Sequence, residues 1–81
     1  MILYYEYNAS MTYDEFLNKF GVKLKYLRLL NNMTQEELAE QLSVDPHYLS
    51  DIECGRRNIT LKTVYRIAQA LNISISELFN I

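Results

Sequence analysis

The chain has 81 residues, of which 49% are hydrophobic and 22% are charged, and its formal net charge is −2. This length supports one domain with one hydrophobic core, and the composition is that of a folded protein rather than a disordered one. The acidic balance excludes binding of polyanions by bulk attraction, so any binding to nucleic acid must come from the local placement of the eight basic residues.

Neither membrane insertion nor secretion is expected from the sequence. No run of about 18 apolar residues occurs, and the opening MILYYEY has neither a basic start nor a small-residue cleavage site. The single cysteine, Cys54, cannot form a disulfide within the chain, which agrees with a reducing compartment. We therefore expect a cytoplasmic protein that does not engage a membrane.

Residues 1–11 form a separate N-terminal segment by their pattern. They lack helical periodicity and are rich in strand formers, namely Ile2, Leu3, Tyr4, Tyr5 and Tyr7. Two interpretations stay open: a tail that rests on the domain, or a short strand that pairs with its copy across a dimer axis, since a lone strand needs a partner for its backbone groups. Residues 12–81 are then the folded domain.

The first helix is predicted from Tyr13 to about Asn31. Thr12 and Glu15 have the spacing of a capping box, which satisfies free backbone N–H groups at a helix start. Apolar residues then recur at three- and four-residue steps, at Phe16, Phe20, Leu24 and Leu27. Gly21 lies midway and is expected to weaken or kink the helix.

Two short helices are predicted between Thr34 and Gly55. Thr34 and Glu37 repeat the capping box, and Asp45 is a good N-cap before Pro46, whose missing N–H costs nothing at the first helical position. Gly55 ends the second of these helices in the left-handed conformation. Their inward faces carry Leu38, Leu42, Leu49 and Ile52.

Only Ser43, Val44 and Asp45 separate these two helices, so their axes must cross steeply. Ala39 is small enough to lie at the crossing, and the outward face of the later helix stays free. This geometry predicts a helix-turn-helix.

Two further helices complete the domain. Thr60 is the expected cap of a fourth helix that Asn72 closes, and Ser74 with Glu77 begins a short fifth helix. The buried stripe of the fourth helix is Val64, Ile67, Ala68 and Leu71. The predicted fold is therefore all-α, a compact bundle of four to five helices.

Residues 16–79 resemble the Cro and phage-repressor type (XRE-like) helix-turn-helix family of small bacterial and phage regulators. The segments that carry the resemblance are FGVKLKYLR, MTQEELAEQL, DPHYLSDIE, GRRNITLKTVYRIAQAL and ISISELF. Within this family, YLSDIE and RRNITLKT are most similar to controller proteins of restriction-modification systems. The resemblance implies the phage-repressor DNA-binding fold.

The resemblance also implies that the helix of residues 46–54 enters the major groove of double-stranded DNA. Base edges would then be contacted by Asp45, Pro46, His47, Ser50 and Asp51. Phosphates would be contacted by Thr34, Gln35, Tyr48, Arg56, Arg57 and Asn58.

Several of these residues have simpler interpretations. His47 could be a solvated surface histidine, and Asp51 could be a discriminating or merely tolerated acid rather than a base contact. Arg56 and Arg57 could be solvated loop charges.

Three residues near the motif have expected roles other than DNA contact. Glu53 lies where the family usually pairs an acid with a base from the first helix, so an ion pair with Arg28 is expected. Ser43 lies where the family's turn commonly has Gly, and strain in a left-handed serine favours a turn of different shape. Cys54 is expected to be an inert thiol.

The residues nominated for base contact include more acid than base, which predicts modest affinity for a single subunit. Dimerisation would double the contacts by reading two half-sites about 34 Å apart. Apolar residues near the end of the chain are nominated as dimer contacts: Ile73, Ile75, Phe79 and Ile81.

The predicted function is that of a sequence-specific DNA-binding transcriptional regulator, acting as a homodimer on a palindromic operator. The sequence has no metal-ligand cluster, nucleophile pair or phosphate-binding glycine loop, so neither an enzyme, a cofactor, a metal nor a small-molecule ligand is expected. The alternative is a protein-interaction module, such as an antitoxin-like subunit, which the acidic charge and the tyrosine-rich start favour.

Overall fold

The computed structural model describes residues 11–81, which form five α-helices. These are α1 (Tyr13–Leu30), α2 (Gln35–Leu42), α3 (Pro46–Glu53), α4 (Leu61–Leu71) and α5 (Ile75–Leu78). Over these residues no strand is present, and the predicted all-α fold is confirmed. The two interpretations of the N-terminal segment fall on residues 1–10 and lie outside the described residues. No described helix combines the length and the hydropathy that a bilayer crossing requires.

Each helix begins at the residue that its sequence pattern predicts. Thr12 and Thr34 form complete capping boxes, in which hydroxyl and glutamate each accept a backbone N–H. The Asp45 carboxylate accepts the N–H of His47 at 2.7 Å, and the hydroxyls of Thr60 and Ser74 cap α4 and α5 in the same way. Such caps are worth about 1 kcal/mol each, so local chemistry fixes where the helices start.

α1 runs unbroken past Gly21, and the expected weakening or kink there stays a prediction. This glycine allows a close approach of the end of α3. A Cβ at position 21 would lie 2.4 Å from the carbonyl oxygen of Glu53 and 2.6 Å from that of Ile52. The missing side chain therefore sets the distance between α1 and α3.

The turn between α2 and α3 contains a left-handed serine, contrary to the expectation of a different shape. Ser43 has a φ of 56°, a conformation that costs a residue with a Cβ roughly 1–2 kcal/mol. The turn holds because the N–H of Val44 donates to the carbonyl of Ala39 at 3.0 Å and Val44 packs against the core. Gly55 after α3 has the positive φ that the sequence predicted, and Asn72, which closes α4, has a positive φ as well.

The core is built from all five helices and contains Phe20, Leu24, Leu27, Leu38, Ala39, Leu42, Leu49, Ile52, Val64, Ile67, Ala68, Leu71 and Leu78. α3 packs against α1 on one side and α2 on the other, while α4 contacts α2 and α5. The guanidinium of Arg66 on α4 donates to the carbonyl of Leu42, which joins α4 to the end of α2. This packing leaves α3 at the edge of the bundle.

Candidate nucleic-acid interface

The inward side of α3 is anchored in the core and its outward side is open. Leu49 is 0% exposed and Ile52 is 2% exposed. On the opposite side, Pro46 and His47 are exposed, and Ser50 is partly exposed. α3 therefore presents a short rod whose solvent side is available to a partner.

A groove of about 500 Å³ lies where the starts of α2 and α3 come together. It is lined by Gln35, Glu36, Asp45, Pro46, His47 and Ser50. Four of the five residues nominated for base contact thus border one concavity with Gln35, which was nominated for phosphate contact. The sequence reasoning missed Glu36, whose only signal was its place in the first turn of α2. Its carboxylate adds negative charge beside the groove.

A buried ion pair fixes α3 against the rest of the domain, as the sequence predicted. Arg28 donates through Nε to Oε2 of Glu53 at 2.7 Å and through Nη2 to Oε1 at 3.1 Å. Arg28 also donates to the carbonyl of Met33 at 2.7 Å, and Gln35 Nε2 donates to Glu53 Oε1 at 3.0 Å. We call Arg28, Glu53 and Gln35 the buried network; it links α1, α2 and α3.

The buried network changes how Gln35 is interpreted. Its side-chain amide is occupied within the domain, while its backbone N–H lies at the first position of α2. Beside it, Thr34 is exposed and its hydroxyl caps α2 by accepting the N–H of Glu37. The start of α2 is therefore hydrogen-bonded to the end of α3, and a helix start with free backbone N–H groups can bind an anion.

A second, exposed cluster lies near the C-terminal end of α3. Oδ1 of Asp51 accepts hydrogen bonds from Nε of Arg56 at 3.2 Å and from its Nη2 at 3.0 Å, and Oδ2 accepts from Nε of Arg57 at 3.4 Å. The guanidinium of Arg57 also lies 4.9 Å from the centroid of the Tyr48 ring. We call Asp51, Arg56, Arg57 and Tyr48 the arginine cluster.

The charges of the arginine cluster stabilise one another. The hydrogen bond from Arg56 is the main cause of a lowered pKa for the Asp51 carboxyl, with Arg57 adding to it. In return, the hydrogen bond to Asp51 raises the pKa of Arg56. Asp51 and Arg56 therefore both stay charged near neutral pH.

A groove of about 520 Å³ lies between the start of α1 and the loop that carries Arg56 and Arg57. It is lined by Tyr13, Asp14, Leu17, Gly55, Arg56, Arg57 and Asn58. Asn58, nominated for phosphate contact, thus lies exposed beside both arginines. Tyr13 and Asp14 are neighbours that the sequence reasoning missed, because a capping box marks where a helix starts and not which loop it will face.

Two helices crossing at a left-handed turn, the second with a free outward side, define a helix-turn-helix. A family model described as helix-turn-helix matches residues 24–78. The chain belongs to this helix-turn-helix family. The resemblance to the Cro and phage-repressor type is confirmed.

The relatives of this helix-turn-helix protein include several control proteins. The chain is 43% identical over 63 residues to control protein C.MunI of Mycoplasma sp, covering 76% of this chain and 85% of that one. It is 39% identical over 62 residues to control protein C.BamHI of Bacillus amyloliquefaciens, covering 75% and 76%.

A solved structure gives the same picture. The restriction-modification controller protein C.AhdI from Aeromonas hydrophila superposes with a TM-score of 0.75 at 40% identity, covering 78% of this chain and 96% of that one. The names of these three proteins describe control or controller functions and not enzymes.

The residues nominated as dimer contacts are not equally available in the helix-turn-helix domain. Ile73 and Phe79 are partly buried against the core, and the Phe79 ring lies 5.6 Å from that of Phe20 between centroids. Ile75 is 39% exposed, and Ile81 lines a groove of about 500 Å³ along α1. Of the four, only Ile75 is an exposed side chain.

The sequence reasoning missed two exposed apolar side chains on α4. Leu61 is 81% exposed and Tyr65 is 54% exposed. They lie four residues apart, so they share one helix face, away from the buried stripe that begins at Val64. This spacing was visible in the sequence.

Among residues 11–81, no group of three or more His, Cys, Asp or Glu side chains has a geometry that could hold a metal ion. Cys54 is exposed at the C-terminal end of α3.

Proposed function

We propose that this protein is a cytoplasmic, sequence-specific DNA-binding transcriptional regulator that inserts α3 into the major groove and acts as a homodimer on a palindromic operator. The observation that carries the proposal is the open outward side of α3, between the start of α2 and the arginine cluster. A major groove about 12 Å wide admits such a helix.

Base readout falls to the outward residues of α3. His47 and Ser50 can each donate or accept a hydrogen bond, and Asp51 can accept from the amino group of cytosine. Asp45 and Pro46 lie at the tip of the helix, where the duplex would come closest. These five residues are our candidates for base-edge contact.

Phosphate contacts would come from both ends of the helix-turn-helix. On one side are Thr34 and the backbone N–H of Gln35, at the start of α2. On the other side are Tyr48, Arg56, Arg57 and Asn58. Because α3 lies between these groups, phosphates bound at both ends would fix its position in the groove.

Variants at the two kinds of position should behave differently. Arg57→Ala should weaken binding to all duplexes and reduce the slope of log affinity against log salt by about one, since one fewer counterion is released. His47→Ala should instead change the preference at one base pair, by about 1–3 kcal/mol. Fluorescence anisotropy with several duplexes over a salt series measures both. Equal effects of both variants on every duplex would contradict this division of roles.

A homodimer would supply the affinity that one acidic subunit lacks. We propose Ile73, Ile75, Phe79 and Ile81 as its contacts, of which Ile75 is the most exposed. Light scattering at micromolar concentration should give about twice the chain mass of 9.6 kDa. A mass of one chain, with DNA present as well as without it, would contradict the dimer.

The similarity to C.MunI, C.BamHI and C.AhdI favours a controller of restriction-modification genes. Selection of bound sites from a randomised DNA pool tests the whole proposal. We expect an inverted repeat with half-site centres about 34 Å apart. Failure to enrich any sequence would contradict sequence-specific binding and would favour the alternative, a protein-interaction module. The net charge of −2 is the observation that favours a protein-interaction module.

A further inference from the structure

The arginine cluster contains a conflict that the proposed function does not resolve. Arg56 and Arg57 are nominated to bind phosphates, yet both donate to the carboxylate of Asp51. Arg56 uses Nε and Nη2, the edge of the guanidinium that grips a phosphate in two-point fashion. Asp51 and the DNA backbone therefore compete for the same N–H groups.

A DNA phosphate can replace Asp51 as the partner of the two arginines, because all three side chains reach solvent. The side chains of Arg56 and Arg57 are 61% and 50% exposed, and that of Asp51 is 31% exposed. Exposed ion pairs are weak, so a phosphate with a full negative charge can replace the carboxylate. Arg57 keeps its contact with the Tyr48 ring, which holds the guanidinium near the loop while its partner changes.

When the arginines leave, Asp51 becomes a carboxylate without donors. Its position on the partly exposed side of α3, one residue after Ser50, directs it toward the base edges if α3 lies in the major groove. A cytosine or adenine amino group there would restore a donor, whereas the oxygen of thymine or guanine would face it with like charge. Base identity would thereby decide how easily the arginines are released.

We propose that Asp51 is a specificity-determining residue that restrains Arg56 and Arg57 until an amino group on a base edge replaces them. The inference rests on the proposed function, since it requires α3 in the major groove. In this mechanism, the arginines can bind the phosphates of random DNA only by leaving Asp51 without a hydrogen-bond donor. An operator with the right base pair compensates Asp51 and gains both phosphate contacts.

The decisive variant is Asp51→Asn, which keeps the shape of the side chain and removes its charge. Its affinity for random duplex should rise on the order of threefold to tenfold at low salt, with a steeper salt slope, because freed arginines neutralise more phosphates. The ratio of operator affinity to random-duplex affinity should fall roughly tenfold, as base discrimination at Asp51 is lost.

Two comparisons test whether the effect of Asp51→Asn on random-duplex binding comes from the arginines. Glu40→Gln makes the same charge change at an exposed position on α2 and should leave the salt slope unchanged. In an Arg56→Ala, Arg57→Ala background, Asp51→Asn should have a much smaller effect on random duplex, because only its direct repulsion from the DNA is then removed. If Glu40→Gln matches Asp51→Asn, or if Asp51→Asn acts equally in both backgrounds, the proposal is overturned.

A measurement without DNA separates this inference from the proposed function. Carbon-13 NMR titration of the Asp51 carboxyl should give a higher pKa in the folded Arg56→Ala, Arg57→Ala variant than in the wild type. An unchanged pKa would overturn the restraint whatever the DNA experiments give. A raised pKa in a protein that binds no duplex would overturn the proposed function instead, and with it any role of Asp51 in reading DNA.

Discussion

The buried network and the arginine cluster use the same chemistry near the C-terminal end of one short helix, one inside the domain and one at its surface, with opposite consequences. In the buried network, the side chains of Arg28 and Glu53 are 6% and 2% exposed. In the arginine cluster, those of Arg56 and Asp51 are 61% and 31% exposed. Because water screens the second pair and not the first, an ion pair here orients a helix in one place and stays exchangeable in the other.

The largest effect is expected from breaking the buried network. Glu53→Ala should lower the free energy of unfolding by about 3–5 kcal/mol, because it leaves Arg28 charged and buried without its partner. That is a large part of the roughly 4–12 kcal/mol expected for a domain of this size. Urea denaturation followed by circular dichroism measures it.

Asp51→Ala is the matched control, since it removes a carboxylate from an arginine pair on the same helix. Its midpoint in urea should stay close to that of the wild type. Equal losses in the two variants would show that burial does not distinguish the two regions.

A smaller effect is expected where α1 meets the end of α3. Gly21→Ala should destabilise the domain by about 1–3 kcal/mol, the usual cost of overpacking, because its Cβ would collide with the carbonyls of Ile52 and Glu53. In an exposed part of a helix the same change gains about 1 kcal/mol. Lys25→Ala, at an exposed position one turn later on α1, is the control and should leave stability nearly unchanged. A stabilised Gly21→Ala protein would show that the two helices can separate without cost.

The smallest effect is expected from titrating Asp51. Its pKa is lowered in the folded protein by the hydrogen bond from Arg56, so the ionised form contributes stability above the ordinary value of 3.8. That contribution is lost as the pH falls through the folded value. The wild type should therefore have a slightly higher Tm than Asp51→Asn at pH 6. This difference should vanish in strong acid. A difference that grows as the pH falls would have the wrong sign.

The sequence was sufficient for features that depend on short spacing or on a family position. The caps at Thr12, Thr34 and Asp45 are read from residues two or three apart. The partner of Glu53 was predicted from its place in the motif. These signals fix the helices, the core stripes and one long-range ion pair.

Other features depend on contacts that no spacing records. Gly21 meets the end of α3 across 31 intervening residues, so its lack of a side chain looked like a weakness of its own helix. Asp51 was assigned to a base edge because it lies outward on α3. Its pairing with Arg56 and Arg57 depends on the rotamers of exposed side chains. Such rotamers differ by little free energy, which a residue pattern does not encode.

Cys54 offers a position at which a probe can be attached beside α3. It is the chain's one cysteine, and it is exposed at the end of α3. Every subunit thus accepts a single nitroxide or fluorophore beside the element proposed to read DNA, without any engineered mutation. In a labelled homodimer, the spin–spin separation would report how far apart the two reading helices are, for direct comparison with one turn of B-form duplex.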